Sequence, residues 1–203
     1  MSKYLKPRYK IYRKENSDLF LKNRFIPCFA NFENIKKKNT EYLPSHFFFQ
    51  LKEKQKLKII YGVLEKQLKI YYNIAKKMSG RIADNLIKIL ESRLDNIVYR
   101  MGIGFTRSDS RQIINHNYIL VNNVLVNIPS YLVKIGDIIK VKFNCINKIR
   151  VIKSFNMFFK KNNYHNWIFI DFKNFRCYLK RYPDMYELDI CVNQNLVLDF
   201  YSR

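Results

Sequence analysis

Residues 91–131 read ESRLDNIVYRMGIGFTRSDSRQIINHNYILVNNVLVNIPSY, and this stretch decides the fold. It begins by continuing an apolar stripe at spacings of three and four, which predicts an amphipathic helix that stops at Gly102. The stripe consists of Leu86, Leu90, Leu94, Ile97 and Met101. Asp84 is a candidate N-cap for this helix. Thr106 and Asp109 have the spacing of a capping box, which predicts a second, short helix.

The remainder of the stretch has the pattern of a β-hairpin. Tyr118–Val121 and Val124–Ile128 are rich in strand-forming residues, and Asn122-Asn123 between them tolerates the left-handed backbone of a tight turn. A turn at Gly136-Asp137 then leads into the β-rich run Ile138–Phe143. Helices followed by a hairpin therefore predict a compact module at the centre of the chain.

The region before this module has the pattern of one long basic helix, over residues 51–77. Its apolar positions recur at helical spacing and are Leu57, Tyr61, Leu64, Leu68, Tyr72 and Ala75. The opposite face carries Lys52, Lys54, Lys56, Lys58, Lys66 and Lys69. Gly62 within the run costs about 1 kcal/mol relative to Ala, which indicates a bend or close packing there.

The two ends of the chain differ in charge. Residues 1–40 form a basic, non-periodic arm, which we expect to gain order mainly against a partner. Near the other end, Trp167–Asp171, Phe175–Arg181 and Leu196–Tyr201 predict short strands. Residues 183–200 contain four acidic residues and no Lys or Arg, a pattern that fits a solvated acidic face and a protein-contact surface equally well.

The charge of the whole chain indicates a polyanionic partner. The 203 residues include 38 Lys and Arg against 16 Asp and Glu, a net charge of +22. Such an excess repels itself unless a polyanion neutralises it, and nucleic acid is the expected partner. A membrane surface is disfavoured, because the sequence has no terminal amphipathic helix, lipidation motif or local polybasic cluster of the usual kind. No apolar run approaches the roughly 20 residues that span a bilayer.

The cysteines predict no metal or disulfide site. Cys28, Cys145, Cys177 and Cys191 are scattered without a C-x-x-C pair, so we expect reduced, structural thiols. Ser/His/Asp, metal-ligand and phosphate-loop patterns do not rise above chance, so we expect neither a cofactor nor catalysis. The first residues lack the apolar core of a secretory signal, and the protein is expected to function where it is made.

The candidate binding residues lie around the predicted second helix. A helix N-terminus presents N–H groups and positive dipole, so Arg107 and Arg111, one turn apart beside it, are expected to converge on a phosphate. His116 and Asn117 close this helix and are expected to reach sugar hydroxyls or base edges on the same side. The alternative is that the two arginines only solvate an exposed helix face.

These residues also carry a family resemblance. Similarity to the RNA-binding module of ribosomal protein S-four, of the bacterial and plastid type, rests on Glu91–Gly102, Thr106-Arg107, Arg111-Gln112, His116, Val121-Asn122, Val126–Ile128 and Ser130-Tyr131. The same family's arm and helical domain resemble Asp18–Lys22, Lys52–Lys56 and Ile60–Glu65. Trp167, Lys180–Pro183 and Tyr201-Ser202 fit it downstream, so the resemblance covers nearly the whole chain.

The resemblance implies an α+β fold. A mostly helical first domain, with a small C-terminal strand region, holds an inserted compact RNA-binding module of helices and a β-hairpin. The corresponding divisions are a basic extended arm over residues 1–40, a helical domain over 41–90 that 156–203 completes, and the module over 91–155.

The resemblance further implies a primary-binding protein of the small ribosomal subunit. Such a protein binds a junction in the five-prime domain of small-subunit rRNA, nucleates assembly, contacts ribosomal protein S-five, influences decoding accuracy and lies near the mRNA entry channel. The predicted rRNA-binding residues are Arg8, Lys10, Arg13, Lys22, Lys52, Lys54, Lys56, Lys58, Arg93, Arg100, Arg107, Arg111, Gln112, His116 and Asn117. Some members hold zinc through four cysteines in the arm, but this arm has only Cys28, so no zinc is expected.

Two other functions are weighed against this one. Pseudouridine synthases carry a similar module and an Arg-Leu-Asp motif, which Arg93-Leu94-Asp95 matches, but the usual following Thr-Ser-Gly is absent. Asp95 is therefore expected to form a structural ion pair. A free RNA chaperone would leave the arm and the basic helix unexplained. Heavy use of Lys, Asn, Ile, Phe and Tyr suggests A+T-rich codons, which favours a plastid ribosome over the cytoplasm of an A+T-rich bacterium.

Overall fold

The computed structural model describes residues 45–142, 165–171, 174–188 and 192–202, so the predicted arm lies outside the described residues. Six α-helices occur in these ranges: α1 His46–Tyr61, α2 Glu65–Lys77, α3 Ile82–Glu91, α4 Leu94–Arg100, α5 Arg107–Asn115 and α6 Gln194–Ser202. Five strands form one sheet: β1 Ile119–Val121, β2 Val124–Leu125, β3 Ile138–Val141, β4 Ile168–Asp171 and β5 Arg176–Leu179. The α+β class is confirmed.

The predicted long basic helix is two helices. Gly62 adopts a left-handed conformation (φ 59°) and ends α1, where its N–H donates to the carbonyls of Ile59 and Lys58. Left-handed backbone is open to glycine at little cost, which is why the chain turns at this residue. Leu64, which we placed in the apolar stripe, lies just before α2 and is exposed. The expected bend at Gly62 is a complete break.

The second predicted helix is also divided. All five residues of its apolar stripe are buried, as predicted. However, α3 ends at Glu91 and α4 begins at Leu94, because the loop that follows the hairpin bonds to the backbone between them. The Leu94 N–H donates to Tyr131 O at 2.8 Å, and Val133 N–H donates to Ser92 O at 2.9 Å. Asp84 lies in the first turn of α3, and Arg81 is the N-cap residue.

The predicted Thr106 cap and the hairpin are confirmed, whereas the Asp109 carboxylate accepts from the N–H of Phe105, one residue before the cap. The Thr106 hydroxyl accepts from the Asp109 N–H at the start of α5. Asn122 and Asn123 both have positive φ (50° and 66°) and join β1 to β2 in the tight turn that the sequence predicts.

The sheet is antiparallel, with strand order β2-β1-β3-β5-β4. The predicted strands around Ile168 and Cys177 are confirmed as β4 and β5, and β5 pairs with β3. The sheet thus joins strands on both sides of the predicted boundary at residue 155, and that division of domains stays a prediction. One face packs on the helices through Ile119, Val121, Ile139, Val141, Cys177 and Leu179.

The prediction of a strand over Leu196–Tyr201 is wrong, since these residues lie in α6. The segment is β-prone in isolation, but its packing favours a helix: α6 lies against α1, with Val197 buried and Tyr201 stacked on Tyr72 at 5.0 Å. In a helix, residues four apart lie one above the other, so Val197 and Tyr201 share the face that packs on the neighbouring helices. In the described ranges, none of the helices is both long and apolar enough to cross a membrane.

Candidate nucleic-acid interface

Three of the four predicted arginines of the central module form ion pairs inside the fold. Asp95 is 1% exposed, and its carboxylate accepts from Arg93 Nε at 3.1 Å and Arg93 Nη2 at 2.8 Å. It also accepts from Arg111 Nε at 2.6 Å. A buried carboxylate is stable only when such donors satisfy it. The structural ion pair predicted for Asp95 is therefore confirmed.

Arg111 also ties the module to the end of α1. Its Nη1 donates to Gly62 O at 2.7 Å and its Nη2 donates to Tyr61 O at 2.6 Å. These carbonyls lie at the C-terminus of α1, where helix carbonyls lack partners and the dipole favours a cation. Arg111 thus replaces the missing turn of α1 and connects two segments about 50 residues apart.

A second buried network surrounds Glu91 at the end of α3. Its carboxylate accepts from Tyr61 Oη at 2.6 Å, from Arg100 Nη2 at 3.0 Å and from the Asn96 amide. Burial alone would raise the pKa of Glu91, but Arg100 and Arg107 hold it below its usual value. Burial and the Glu91 charge raise the pKa of Tyr61. Glu91 is therefore a buried carboxylate that is charged at neutral pH.

Arg107 lies in the same interior. Its Nε donates to Asn96 Oδ1 at 2.7 Å, and its guanidinium carbon lies 5.0 Å and 4.7 Å from the ring centroids of Tyr61 and Tyr99. Its two terminal nitrogens have no hydrogen-bond partner among the described residues. Burial, together with the nearby Arg100, lowers the pKa of Arg107. Two aromatic faces stabilise this cation in place of acceptors.

The expected exposed face of Arg107 and Arg111 is not present. Arg93, Arg100 and Arg107 are each 5% exposed, and most of Arg111 is covered. The N-terminus of α5, where we placed a phosphate, is occupied by its own chain: Thr106 caps it and the Asp109 carboxylate accepts from Phe105 N–H. Arg111 is held inside because the buried Asp95 carboxylate needs a cationic partner. Arg107 is held inside by Asn96 and two tyrosine rings.

Three of the four lysines predicted on α1 are engaged by acidic neighbours. Lys54 is buried, with its Nζ 3.1 Å from Glu65 Oε1 and 3.7 Å from the Phe200 ring centroid. Lys58 pairs with Glu65 at 3.4 Å and Lys56 pairs with Glu53 at 2.6 Å. Lys52 is half-buried and has interactions of its own. Two carboxylates, Glu53 and Glu65, thus offset about half of the positive charge of these four lysines.

The other predicted residues that the structure describes are exposed. Gln112 lies on the outer side of α5, and His116 and Asn117 lie where this helix ends. The His116 ring stacks on Tyr118 at 5.8 Å between centroids. Asn117 has a positive φ of 61°, which turns the chain into β1. These three side chains are accessible to a partner, whereas Arg8, Lys10, Arg13 and Lys22 lie outside the described residues.

A cationic stripe that sequence reasoning left out of the predicted site lies on α2. We call it the α2 lysine stripe, and it comprises Lys66, Lys69, Lys76 and Lys77. At 100° per residue these positions fall within about one third of the helix circumference, away from the buried Leu68, Tyr71, Tyr72 and Ala75. All four lysines are exposed, and none forms an ion pair with a carboxylate in the described part of the chain. The signal was present in the sequence, because α2 contains one acidic residue, Glu65.

The arrangement supports binding rather than catalysis. Residues 45–142 and the described segments after them contain no group of His, Cys, Asp and Glu that could hold a metal ion. The described carboxylates of the network, Glu91 and Asp95, are covered by arginines and inaccessible to a substrate. What the surface offers is exposed cations, amides and aromatic rings, the groups that bind RNA backbones and bases.

Comparison with known proteins agrees with this assignment. The family described as ribosomal protein S4/S9 N-terminal domain matches residues 3–91, and the S4 domain matches residues 92–139. A protein of Saccharophagus degradans named small ribosomal subunit protein uS4 is 40% identical over 207 aligned residues, covering all of both chains. Proteins of the same name from Laribacter hongkongensis and Buchnera aphidicola subsp. Acyrthosiphon pisum are 39% and 41% identical, again over their full lengths. These proteins are structural components of the ribosome, not enzymes, and the chain belongs to the family of small ribosomal subunit protein uS4.

Proposed function

We propose that this protein is a primary rRNA-binding component of the small ribosomal subunit. In this role it binds a helical junction in the five-prime domain of small-subunit rRNA and nucleates the assembly of that domain. The observation that carries the proposal is the full-length similarity to small-subunit proteins from bacteria. A net charge of +22 supports a polyanionic partner.

The proposed rRNA contacts fall on exposed groups. The α2 lysine stripe supplies four cations without internal partners among the described residues, and Gln112, His116 and Asn117 supply polar groups near base edges or sugars. We keep Arg8, Lys10, Arg13 and Lys22 as proposed contacts of the basic arm. For Arg93, Arg100, Arg107 and Arg111 we propose a positioning role, because they fix the helices that present these surfaces.

The finer partners are also part of the proposal. By family resemblance, the protein contacts ribosomal protein S-five, lies near the mRNA entry channel and contributes to translational accuracy. The coding bias supports a plastid ribosome as its location. Cell fractionation tests the location. The protein should sediment with small ribosomal subunits isolated from plastids. Its recovery only from bacterial ribosomes would reject the plastid location.

Binding to a transcript of the five-prime domain tests the central claim. Log affinity should fall linearly with log salt, since released counterions drive such binding. Replacing Lys66, Lys69, Lys76 and Lys77 with Ala should lower the slope by about one for each phosphate contact that is lost. Asn73→Ala is the matched control, because Asn73 is an exposed neutral residue within the same stripe of α2. A quadruple variant with the affinity and slope of the wild type would remove the stripe from the interface.

A further inference from the structure

One face of the sheet carries exposed side chains, and none of the described elements packs on it. Ile138, Tyr178 and Phe169 form a row across β3, β5 and β4, because Ile138 pairs with Tyr178 and Tyr178 pairs with Phe169 in register. Each is between 37% and 42% exposed. Their neighbours along the strands, such as Ile139 and Cys177, point into the core. Alternation along the strands therefore gives this sheet one packed and one solvent-facing side.

The open face carries a preformed aromatic platform. The rings of Phe169 and Tyr178 are stacked, with centroids 4.9 Å apart and an angle of 27° between their planes. The flanking Ile138 extends the apolar surface. A contiguous exposed apolar surface of this kind on a soluble protein commonly marks a binding site. The two rings come from neighbouring strands that pair in register at these two residues.

Cations surround this platform. Lys140 and Arg176 form the next row of the same face, since they pair with each other in register. Lys180 Nζ lies 5.4 Å from the Phe169 ring centroid. Asp171 is paired in register with Arg176, so one acidic residue accompanies three basic ones on the described part of this face. The face is thus both aromatic and positively charged.

We propose that this open face binds unpaired bases of rRNA. Phe169 and Tyr178 stack on one or two bases, and Lys140, Arg176 and Lys180 contact the adjoining phosphates. Bases within a duplex have no accessible π-face, so the site takes a loop or bulge. The charge argues for RNA over a protein partner, because neutral stacked rings alone would suit either. This inference rests on the proposed function and adds to it the surface that binds single-stranded rRNA.

The test is binding of the five-prime domain transcript to full-length variants. Phe169→Ala should weaken binding between about 5-fold and about 150-fold, since each stacked base contributes in that range. The salt slope should stay unchanged, because no phosphate contact is lost. Phe169→Tyr should retain most of the affinity. Arg176→Ala should lower the slope by about 0.7, the value for one contact to a single strand.

The control is Tyr186→Ala, since Tyr186 is a fully exposed tyrosine outside the sheet and its loss should leave binding intact. A second measurement needs no substitution: ultraviolet crosslinking of the wild type should join Tyr178 to unpaired nucleotides. Wild-type protein that does not bind the transcript would reject the proposed function itself. If the wild type binds normally, Phe169→Ala binds with the same affinity and Tyr178 forms no crosslink, only the base platform is overturned. A Phe169→Ala protein that binds rRNA normally but no longer enters small subunits would also overturn the base platform. That result would assign the face to a protein partner.

Discussion

Replacing Arg111 with Ala separates a buried structural arginine from a phosphate-binding one. The side chain makes three hydrogen bonds in the interior: one to the Asp95 carboxylate at 2.6 Å and two to the carbonyls of Tyr61 and Gly62. Removal leaves Asp95 with Arg93 as its remaining arginine partner in the described structure and leaves the two helix-end carbonyls without these donors.

The magnitude follows from the burial of the pair. Breaking a buried ion pair from one side costs about 3 to 5 kcal/mol. Arg111 keeps 22% of its side chain exposed, and Arg93 continues to neutralise Asp95, so the low end applies. A loss of about 3 kcal/mol in the free energy of unfolding corresponds to a fall in Tm of about 6 to 12 °C for a chain of this size.

The assay combines thermal unfolding with rRNA binding across a salt series at a temperature where both proteins are folded. Gln112→Ala is the matched control, because Gln112 is the next residue of the same helix and points outward. Arg111→Ala should lower Tm and leave the salt slope of the folded protein unchanged, whereas Gln112→Ala should leave Tm unchanged. An Arg111→Ala protein with wild-type Tm and a slope lower by about one would refute the internal role and restore the phosphate contact.

Three further predictions concern the helix junctions. Gly62→Ala should lower the free energy of unfolding by at least about 1 to 2 kcal/mol, measured by urea unfolding. The reasons are that φ at this residue is +59° and that the added Cβ would lie 2.8 Å from Arg111 Nη1. An unchanged urea midpoint would contradict this prediction. Because the pKa of Glu91 is lower in the folded protein than its usual 4.5, its contribution to stability should be complete above about pH 4.5 and decrease as pH falls further. In Glu91→Gln, the free energy of unfolding should fall less steeply with decreasing pH below about pH 4.5. A decrease as steep as that of the wild type would assign the acid sensitivity to other carboxylates. Tyr201→Phe removes a 2.8 Å hydrogen bond to Glu65, which should cost about 1.5 kcal/mol and raise the Glu65 pKa, measurable by NMR titration; an unmoved pKa would count against this bond.

Local features were predictable wherever a few consecutive residues decide the conformation. Asn122-Asn123 fixes the hairpin turn, since two residues that tolerate positive φ allow strands to reverse. Thr106 caps α5 through an interaction three residues away. The buried stripe from Leu86 to Met101 follows from helical periodicity alone. Family membership was equally predictable, because the similarity to the family extends over the full length of the chain.

Element boundaries were less predictable, because partners distant in sequence set them. The break between α3 and α4 coincides with two backbone hydrogen bonds to a loop about 40 residues downstream: Tyr131 O accepts from Leu94 N–H, and Val133 N–H donates to Ser92 O. The C-terminal segment Leu196–Tyr201 is helical because α1 offers it a helical surface, although its composition favours a strand.

The sequence by itself determined that this protein is basic, that it is α+β, and that it carries the uS4 motifs, because composition, periodicity and motif spacing are properties of the linear chain. Only the tertiary structure decided which of its cations face outward. By sequence alone, Arg107 and Arg111 are cationic helix residues like the lysines of α2. In the fold, Asp95 holds Arg111 inside, and Arg107 is buried between the rings of Tyr61 and Tyr99. The physical reason is desolvation: a carboxylate removed from water must keep a cation beside it, and folding alone determines which cation that is.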